Sequence, residues 1–338
     1  MARKRASRAG GAVRMHDVAR LADVSPITVS RALSQPDKVS VETRRRVAAA
    51  IAQVGYVPNL TAGSLASNRS RIIAAIVPTI ANSIFADTVQ GLSDGLERQG
   101  YQLLLGQTGY SEASEDELIR AFLGRRPDAL VLTGIGRSAA ARTLLRNADI
   151  PIVETWDLTE APLDMLVGFS NREAGRAMAE YFLARGHRRL AFVGSTDQRS
   201  QARRAGFLSA APDALTIALD EQASVPRGRA ALQRVRAEAA GGHSMGVQAI
   251  FFSTDVLAVG ALLECQRLGL KVPDDLAIAG LGDLPIAAEI NPALTTIEIR
   301  GYAIGERAAR MLLQRLAGER VSPKIVDLGF RIVARASA

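Results

Sequence analysis

The sequence predicts a small all-α head carrying a helix-turn-helix, joined by a short hinge helix to a two-lobed α/β body built on parallel sheets. Three observations carry this. Residues 16–35, HDVARLADVSPITVSRALSQ, have the helix, tight turn, helix spacing of that motif. The excess charge is confined to one end: residues 1–71 hold 13 Lys/Arg against 4 Asp/Glu, a net of +9, while the remaining 267 residues carry a net of −1. From Arg71 onward, apolar runs alternate with amphipathic stretches, the pattern of parallel sheets covered by helices on both faces.

In the head, residues 16–23 read as a first short helix with Val18, Ala19 and Ala22 at helical spacing, followed by a turn at Asp23 and Val24. Ser25 is placed to N-cap a second helix over 26–33. Pro26 suits its first position, where an amide proton would be unpaired anyway. Val29 and Leu33 form the expected buried stripe, which turns Ile27, Thr28, Ser30 and Arg31 outward. Small polar groups and an arginine on an exposed helix face suit the base edges and phosphates of a DNA major groove. Ser40 caps a third helix, VETRRRVAAAIAQVG, with Val47, Ile51 and Val54 inward, Arg44, Arg45 and Arg46 toward solvent, and Gly55 as its stop. Residues 15–58 therefore make one domain. Asn59 can cap one more short helix, 60–67, with Ala62 and Leu65 on one face. This hinge, 59–70, is too short to be stable alone and orders only when held. The first fourteen residues are basic and small, and read as a flexible arm, either tracking phosphate or inert. Charge concentrated in this way is the footprint of a polyanion partner.

For the body, strands are expected at 72–77, 101–106, 129–132, 152–155, 165–168, 189–193, 215–219, 249–252 and 276–280. Helices are expected at 84–99, 115–124, 139–147, 172–185, 227–240, 255–268 and 302–317. These are too many units for one sheet, so two similar lobes with a cleft are inferred, and ligands in such folds collect at the carboxyl ends of strands. Hydrophobic residues make up 48% of the chain, enough for a large core, but no run of 18 apolar residues suits a membrane span. The basic N-terminus lacks the apolar stretch of an export signal. The single cysteine, Cys265, excludes an internal disulfide, and the cytoplasm is the expected compartment. His16, His187 and His243 lie far apart, and no Cys/His cluster has metal-ligand spacing. His187 fits a helix-to-strand turn. With no Gly-rich phosphate loop and no Ser/His/Asp set, neither cofactor nor catalysis is expected.

DVARLADVSPITVSRAL, VSVETRRRVAAAIAQVGYVPN, the hinge ending SLASNRS, LARGHRRLAFVG, STDVLAVGALLECQRLGLKVPDDLAIAG and NPALTTIEI follow one another in an informative order. From about Met15 onward the chain resembles the lactose-repressor (LacI/GalR) family of bacterial transcription regulators. Within it, ECQRLGLKVPDDLAIAG and SPKIVDLGF resemble repressors of gluconate-utilisation operons. The resemblance implies a periplasmic-binding-protein-like (type I) core over 71–338. Its first lobe would be 71–169 with 298–323, and its second 170–297 with 324–338. It also implies a homodimer on a pseudo-palindromic double-stranded operator.

Carried onto this sequence, the resemblance places Pro26, Ile27, Ser30 and Arg31 at the groove floor. Ile27 cannot hydrogen-bond a base and would touch a thymine methyl. Ser25, Thr28 and Ser40 would bind phosphate. Leu65 would wedge into a central minor-groove step, with Ala62 allowing two hinge helices to approach and Asn59 opening the hinge. The effector positions would be Phe85, Asn171, Arg199, Arg203, Thr254, Asp255 and Asp283. Arg199 and Arg203, in the polar loop STDQRSQARR, suit a carboxylate or phosphate, so a sugar acid fits better than a neutral sugar, with gluconate, a phosphorylated sugar acid and a ketogluconate all open. Asp255 would accept ligand hydroxyls or cap the following helix. Gly282 stands where many relatives have Asp. Glu154 and Trp156 end a strand facing this region, Glu154 being a poor neighbour for an anion unless an arginine pairs with it. These features predict a repressor released from DNA by its effector. A sugar-binding protein or an enzyme on the same two-lobed scaffold is the alternative.

Overall fold

A computed structural model describes residues 13–57, 69–80, 83–220, 222–242 and 246–338. Asn59, Ala62 and Leu65, and all of the basic arm before residue 13, lie outside the described residues. The chain divides into two compact units, Met1–Ser70 and Arg71–Ala338.

The head holds α1 (Met15–Leu21), α2 (Pro26–Ser34) and α3 (Val41–Val54), with a single 3-10 turn at Pro36–Lys38. Asp23 turns the chain between α1 and α2 with φ +52°. The Ser25 hydroxyl then accepts the Thr28 amide at 3.1 Å, and Pro26 opens α2 as expected. Ser40 accepts the Thr43 amide at 3.3 Å to start α3, which ends at Gly55 with φ +64°. Val18, Ala19, Ala22, Val29, Val47, Ala50 and Tyr56 form the core. One expectation fails. Leu33 is 42% exposed, and Ala32 packs on the head core beside Val29 instead. The stripe of α2 continues from Val29 at i+3, not i+4; the next residue round the helix is turned out.

The body contains two six-stranded sheets. In the first, the order is β11 (Ile325–Asp327), β5 (Met165–Gly168), β4 (Ile152–Thr155), β3 (Ala129–Thr133), β1 (Ile72–Val77), β2 (Gln102–Gln107), all parallel. The second runs β12 (Arg331–Val333), β10 (Thr295–Glu298), β9 (Ala277–Gly282), β8 (Ala249–Phe252), β6 (Leu190–Ser195), β7 (Leu215–Leu219). Only β12 is antiparallel there. The nine anticipated strands all form; β10, β11 and β12 are additional. The chain passes between sheets after β5, after β10 and after β11. The crossing expected at 323/324 is therefore misplaced: Ile325, Val326 and Asp327 pair with Leu166, Val167 and Gly168, completing the edge of the first sheet before the chain leaves it.

Two helix pairs fix the geometry around the crossings. In the first lobe, α4 (Ala86–Glu97) packs on α12 (Gly301–Leu316). In the second, α7 (Asn171–Ala184) packs on α8 (Gln198–Ala210). The second pair touches backbone to backbone. A Cβ at Gly175 would stand 1.9 Å from the Arg203 carbonyl oxygen, and one at Gly206 1.8 Å from that of Arg172. Glycine is required at both positions, and its absence of a side chain brings the start of α7 against the middle of α8. The remaining helices are α5 (Glu112–Gly124), α6 (Ala139–Asn147), α9 (Val225–Gly242), α10 (Asp255–Leu268) and α11 (Pro285–Glu289). Among the described residues, no helix is long and apolar enough to cross a membrane.

Candidate functional site

A cavity of about 390 Å³ opens between the lobes at the carboxyl ends of the strands. Ile84 and Phe85 follow β1, Gly109, Tyr110 and Ser111 follow β2, and Trp156 follows β4. The second lobe adds Ser195, Thr196 and Asp197 from β6 and its loop, Arg199 and Arg203 from α8, Leu219, Asp220, Gln222 and Ala223 after β7, and Thr254 after β8. Its size is in the range of small-molecule sites.

The two arginines are on a helix, not in the polar loop expected from the sequence. Asp197 N-caps α8, accepting the amides of Arg199 at 3.1 Å and Ser200 at 3.4 Å. Once the cap starts the helix, residues four apart share a face, so Arg199 and Arg203 present their guanidinium groups side by side. Both are more than nine-tenths buried. Burial pushes the Arg203 pKa down to about 10, opposed by the Asp197 charge. Burial also works against ionisation of Asp197, but Arg199 and Arg203 overcome it and hold this carboxylate below its ordinary value. Asp197 further accepts the Ser195 hydroxyl at 2.5 Å, and its Oδ1 lies 3.5 Å from Arg199 Nε. Two nitrogens remain over: Arg199 Nη1 and Arg203 Nε are buried without a hydrogen-bond partner. Arg44 Nε, Arg137 Nε and Arg307 Nε are also buried without a hydrogen-bond partner, but Arg199 and Arg203 are the residues whose spare donors belong to the cavity wall.

The opposite wall is aromatic. Phe85 meets Trp156 edge-to-face at 4.8 Å, and the Arg199 guanidinium lies 5.1 Å from the centroid of the Phe85 ring and 6.0 Å from that of Tyr110. Tyr110 and Trp156 have φ of +66° and +70°. Neither is glycine, so both hold a left-handed backbone that L residues disfavour. Burial raises the Tyr110 pKa, so the phenol keeps its proton and offers a donor.

Five of the seven expected effector residues gather here. Phe85, Arg199, Arg203 and Thr254 line the cavity. Asn171 stands directly behind it, with its Oδ1 accepting from Arg203 Nη1. Asp255 and Asp283 are not in the lining. Asp255 is fully buried, its Oδ1 accepting the Thr296 hydroxyl at 2.5 Å and its Oδ2 the Leu284 amide at 2.8 Å. Both oxygens are hydrogen-bonded within the fold. Nor does Asp255 cap α10: Thr254 does, accepting the Leu257 amide. Asp283 turns to Arg335, Oδ1 to Nη2 being 2.7 Å. Glu154 is paired with Arg137 at 2.7 Å. Tyr110, Asp197, Asp220 and Gln222 were not anticipated as wall residues. The signal for Tyr110 was available, because it follows β2 as Phe85 follows β1.

On the head, Ser25, Ser30 and Arg31 are exposed, Pro26 and Thr28 half-buried, and Ile27 is 69% exposed. An isoleucine so displayed beside hydroxyls and a guanidinium makes a mixed polar and apolar surface. The hydroxyls of Ser25 and Ser40 have a local duty as caps; Ser25 Oγ also lies 2.9 Å from Thr28 Oγ1, and Ser40 donates to Thr43 Oγ1.

Residues 14–59 match the bacterial regulatory proteins of the lacI family, and residues 179–338 match the periplasmic binding protein-like domain. The chain is similar to the HTH-type transcriptional regulator GntR of Pseudomonas aeruginosa, 39% identical with 98% of this chain and 97% of that protein covered. It is 36% identical to the GntR regulator of Escherichia coli K12, over 94% of this chain and 96% of that one. Among solved structures, a LacI family transcriptional regulator from Silicibacter pomeroyi superposes with a TM-score of 0.89. It is 31% identical, and the match covers 96% of this chain and 99% of that one.

Proposed function

Because this chain belongs to the lacI family of DNA-binding bacterial transcriptional regulators, and so is a regulator rather than an enzyme, we propose that it is a repressor released from its operator by a sugar acid of the gluconate type. Its place of action is the cytoplasm. The observation that carries the ligand class is the pair of buried guanidinium nitrogens, Arg199 Nη1 and Arg203 Nε, left without partners beside the cavity. A carboxylate supplies the acceptors they lack, in geometry a guanidinium fork matches. Asp197, Asp220, Gln222 and Thr254 would take the hydroxyls of a short polyol, and Phe85 and Trp156 its carbon face.

On DNA, two heads of a homodimer would read half-sites of a pseudo-palindrome. Ile27 would meet a thymine methyl, Ser30 and Arg31 base edges, and Ser25, Thr28 and Ser40 phosphates, with Pro26 holding the helix end in the groove. Asn59, Ala62 and Leu65 would act at the minor groove. The ligand sets one angle between the lobes, and release follows if DNA needs another; the coupling free energy is the difference in ligand affinity between the two states.

The test is fluorescence anisotropy of the full chain on a labelled pseudo-palindromic duplex, taken from DNA beside sugar-acid genes, with sodium gluconate titrated at several salt concentrations. Selective, salt-dependent binding that gluconate weakens is expected. Binding tightened by gluconate would reverse the proposed sign, and indifference to gluconate, to a phosphorylated sugar acid and to a ketogluconate alike would overturn the ligand class.

A further inference from the structure

The cavity is wired to two of the three places where the chain passes between lobes. Arg203 Nη1 donates to Asn171 Oδ1, and Asn171 opens α7 directly after the first crossing. Asn171 Nδ2 donates to the Trp156 carbonyl oxygen at 2.8 Å. The Trp156 indole Nε1 donates to Thr88 Oγ1 at 3.0 Å, and the Thr88 hydroxyl donates to the Gly301 carbonyl oxygen at 3.0 Å. Gly301 begins α12 directly after the second crossing, from β10. All four side chains in this series are more than nine-tenths buried.

We propose that Thr88, which lies outside the cavity, is the residue that couples occupancy of the cavity to the second lobe crossing. It does so by holding the Trp156 indole and the Gly301 carbonyl on one hydroxyl. The inference rests on the reading of the cavity as an effector site. A hydroxyl that accepts from one partner and donates to another has its rotor fixed by both, so movement at either end is felt at the other. A ligand carboxylate taken by Arg199 Nη1 and Arg203 Nε draws the guanidinium whose Nη1 also holds Asn171 Oδ1. Asn171 then shifts against the Trp156 backbone, which already has positive φ. The indole, in the cavity wall on one side and on Thr88 on the other, carries that shift to the start of α12. That helix lies along α4, the helix bearing Thr88, with the Thr88 carbonyl oxygen 2.0 Å from where a Cβ at Gly305 would stand. Contact this close lets α12 follow α4 rather than slide past it.

The experiment uses the full chain and the variants Thr88→Val, Thr88→Ala and Thr88→Ser. Sodium gluconate affinity is measured by calorimetry, and the gluconate concentration that half-releases the operator duplex by anisotropy. Thr88→Val is expected to bind gluconate within about threefold of the parent and to need at least tenfold more for half-release, with Thr88→Ser restoring the parent value. Thr88→Ala gives the same split if valine does not fold. Release at the parent concentration, or loss of affinity equal to the loss of release, overturns the proposal. If gluconate does not bind the parent chain, gluconate is removed as the ligand and the coupling is judged without ligand. Asn171→Ala should then speed amide exchange at 301–305 in the parent but not in the Thr88→Val background. Equal effects in both backgrounds, or none in either, overturn it.

Discussion

The proposed reading surface of the head and the cavity of the body are built at opposite ranges of sequence. Ser25 to Arg31 are seven consecutive residues. One cap, one N1 proline and one helical period decide which of them face out. The cavity draws Phe85, Tyr110, Trp156, Arg199 and Thr254 from five separate segments across both lobes, and not one of them is placed by its immediate neighbours alone. A local surface can change its specificity one side chain at a time. A site assembled from strand ends is held by the fold, so changes in it spread into stability and into the angle between the lobes.

The largest effect separating the two regions is expected from pH. Burial pushes the Asp255 carboxyl up to about 6, opposed by the Thr296 hydroxyl and the Leu284 amide; the Asp283 charge adds to the rise and Arg335 reduces it. The folded value exceeds the unfolded one, so the native state holds the extra proton in between. The stabilisation is complete below the unfolded pKa and is lost as pH rises through about 6. A two-unit shift corresponds to roughly 3 kcal/mol. Urea unfolding of the body should show stability falling across this window, and Asp255→Asn should flatten that slope. An unchanged slope in the variant would break the assignment.

Arg203→Met comes next. Removing a charge-assisted contact of this class costs roughly 1.5–3 kcal/mol, or about 10- to 100-fold in gluconate affinity. Operator affinity without ligand should stay within about threefold, read by calorimetry and anisotropy on the same preparation. Equal losses in both would show that the arginine supports the fold instead. Ile27→Ala should do the converse, weakening operator binding by roughly 1–2 kcal/mol and relaxing preference at one base pair per half-site, with gluconate affinity unmoved. A uniform loss across all duplexes in a selection experiment would remove Ile27 from base reading. The smallest change is Ser25→Ala. Loss of its cap should cost the head about 1 kcal/mol in thermal unfolding and leave the body transition where it was.

Several parts of this molecule were legible early because their causes are local. The caps at Ser25 and Ser40 and the stop at Gly55 follow from residue type and spacing, and the nine anticipated strands from apolar runs bounded by turns. The helix carrying Arg199 and Arg203 was not legible. QRSQARR has no apolar period, and the helix exists because Asp197 caps it and Gly206 lets it lie on α7. The exposure of Leu33 was not legible either, because which neighbour of Val29 points inward depends on where α1 and α3 lie.

By itself, then, the sequence determined the all-α head with its outward Ile27, Ser30 and Arg31, the confinement of positive charge to that end, and the alternation that makes two parallel sheets. Each depends on contacts within a few residues or on composition. Only the tertiary structure decided which polar groups were left for a ligand. Asp255 and Asp283 follow strands as ligand carboxylates do, yet Thr296, the Leu284 amide and Arg335 consume them. Arg199 Nη1 and Arg203 Nε stay buried without a partner. A hydrogen bond is settled by which partner arrives within about 3 Å. When the partner is 29 or more residues away, folding alone brings it there.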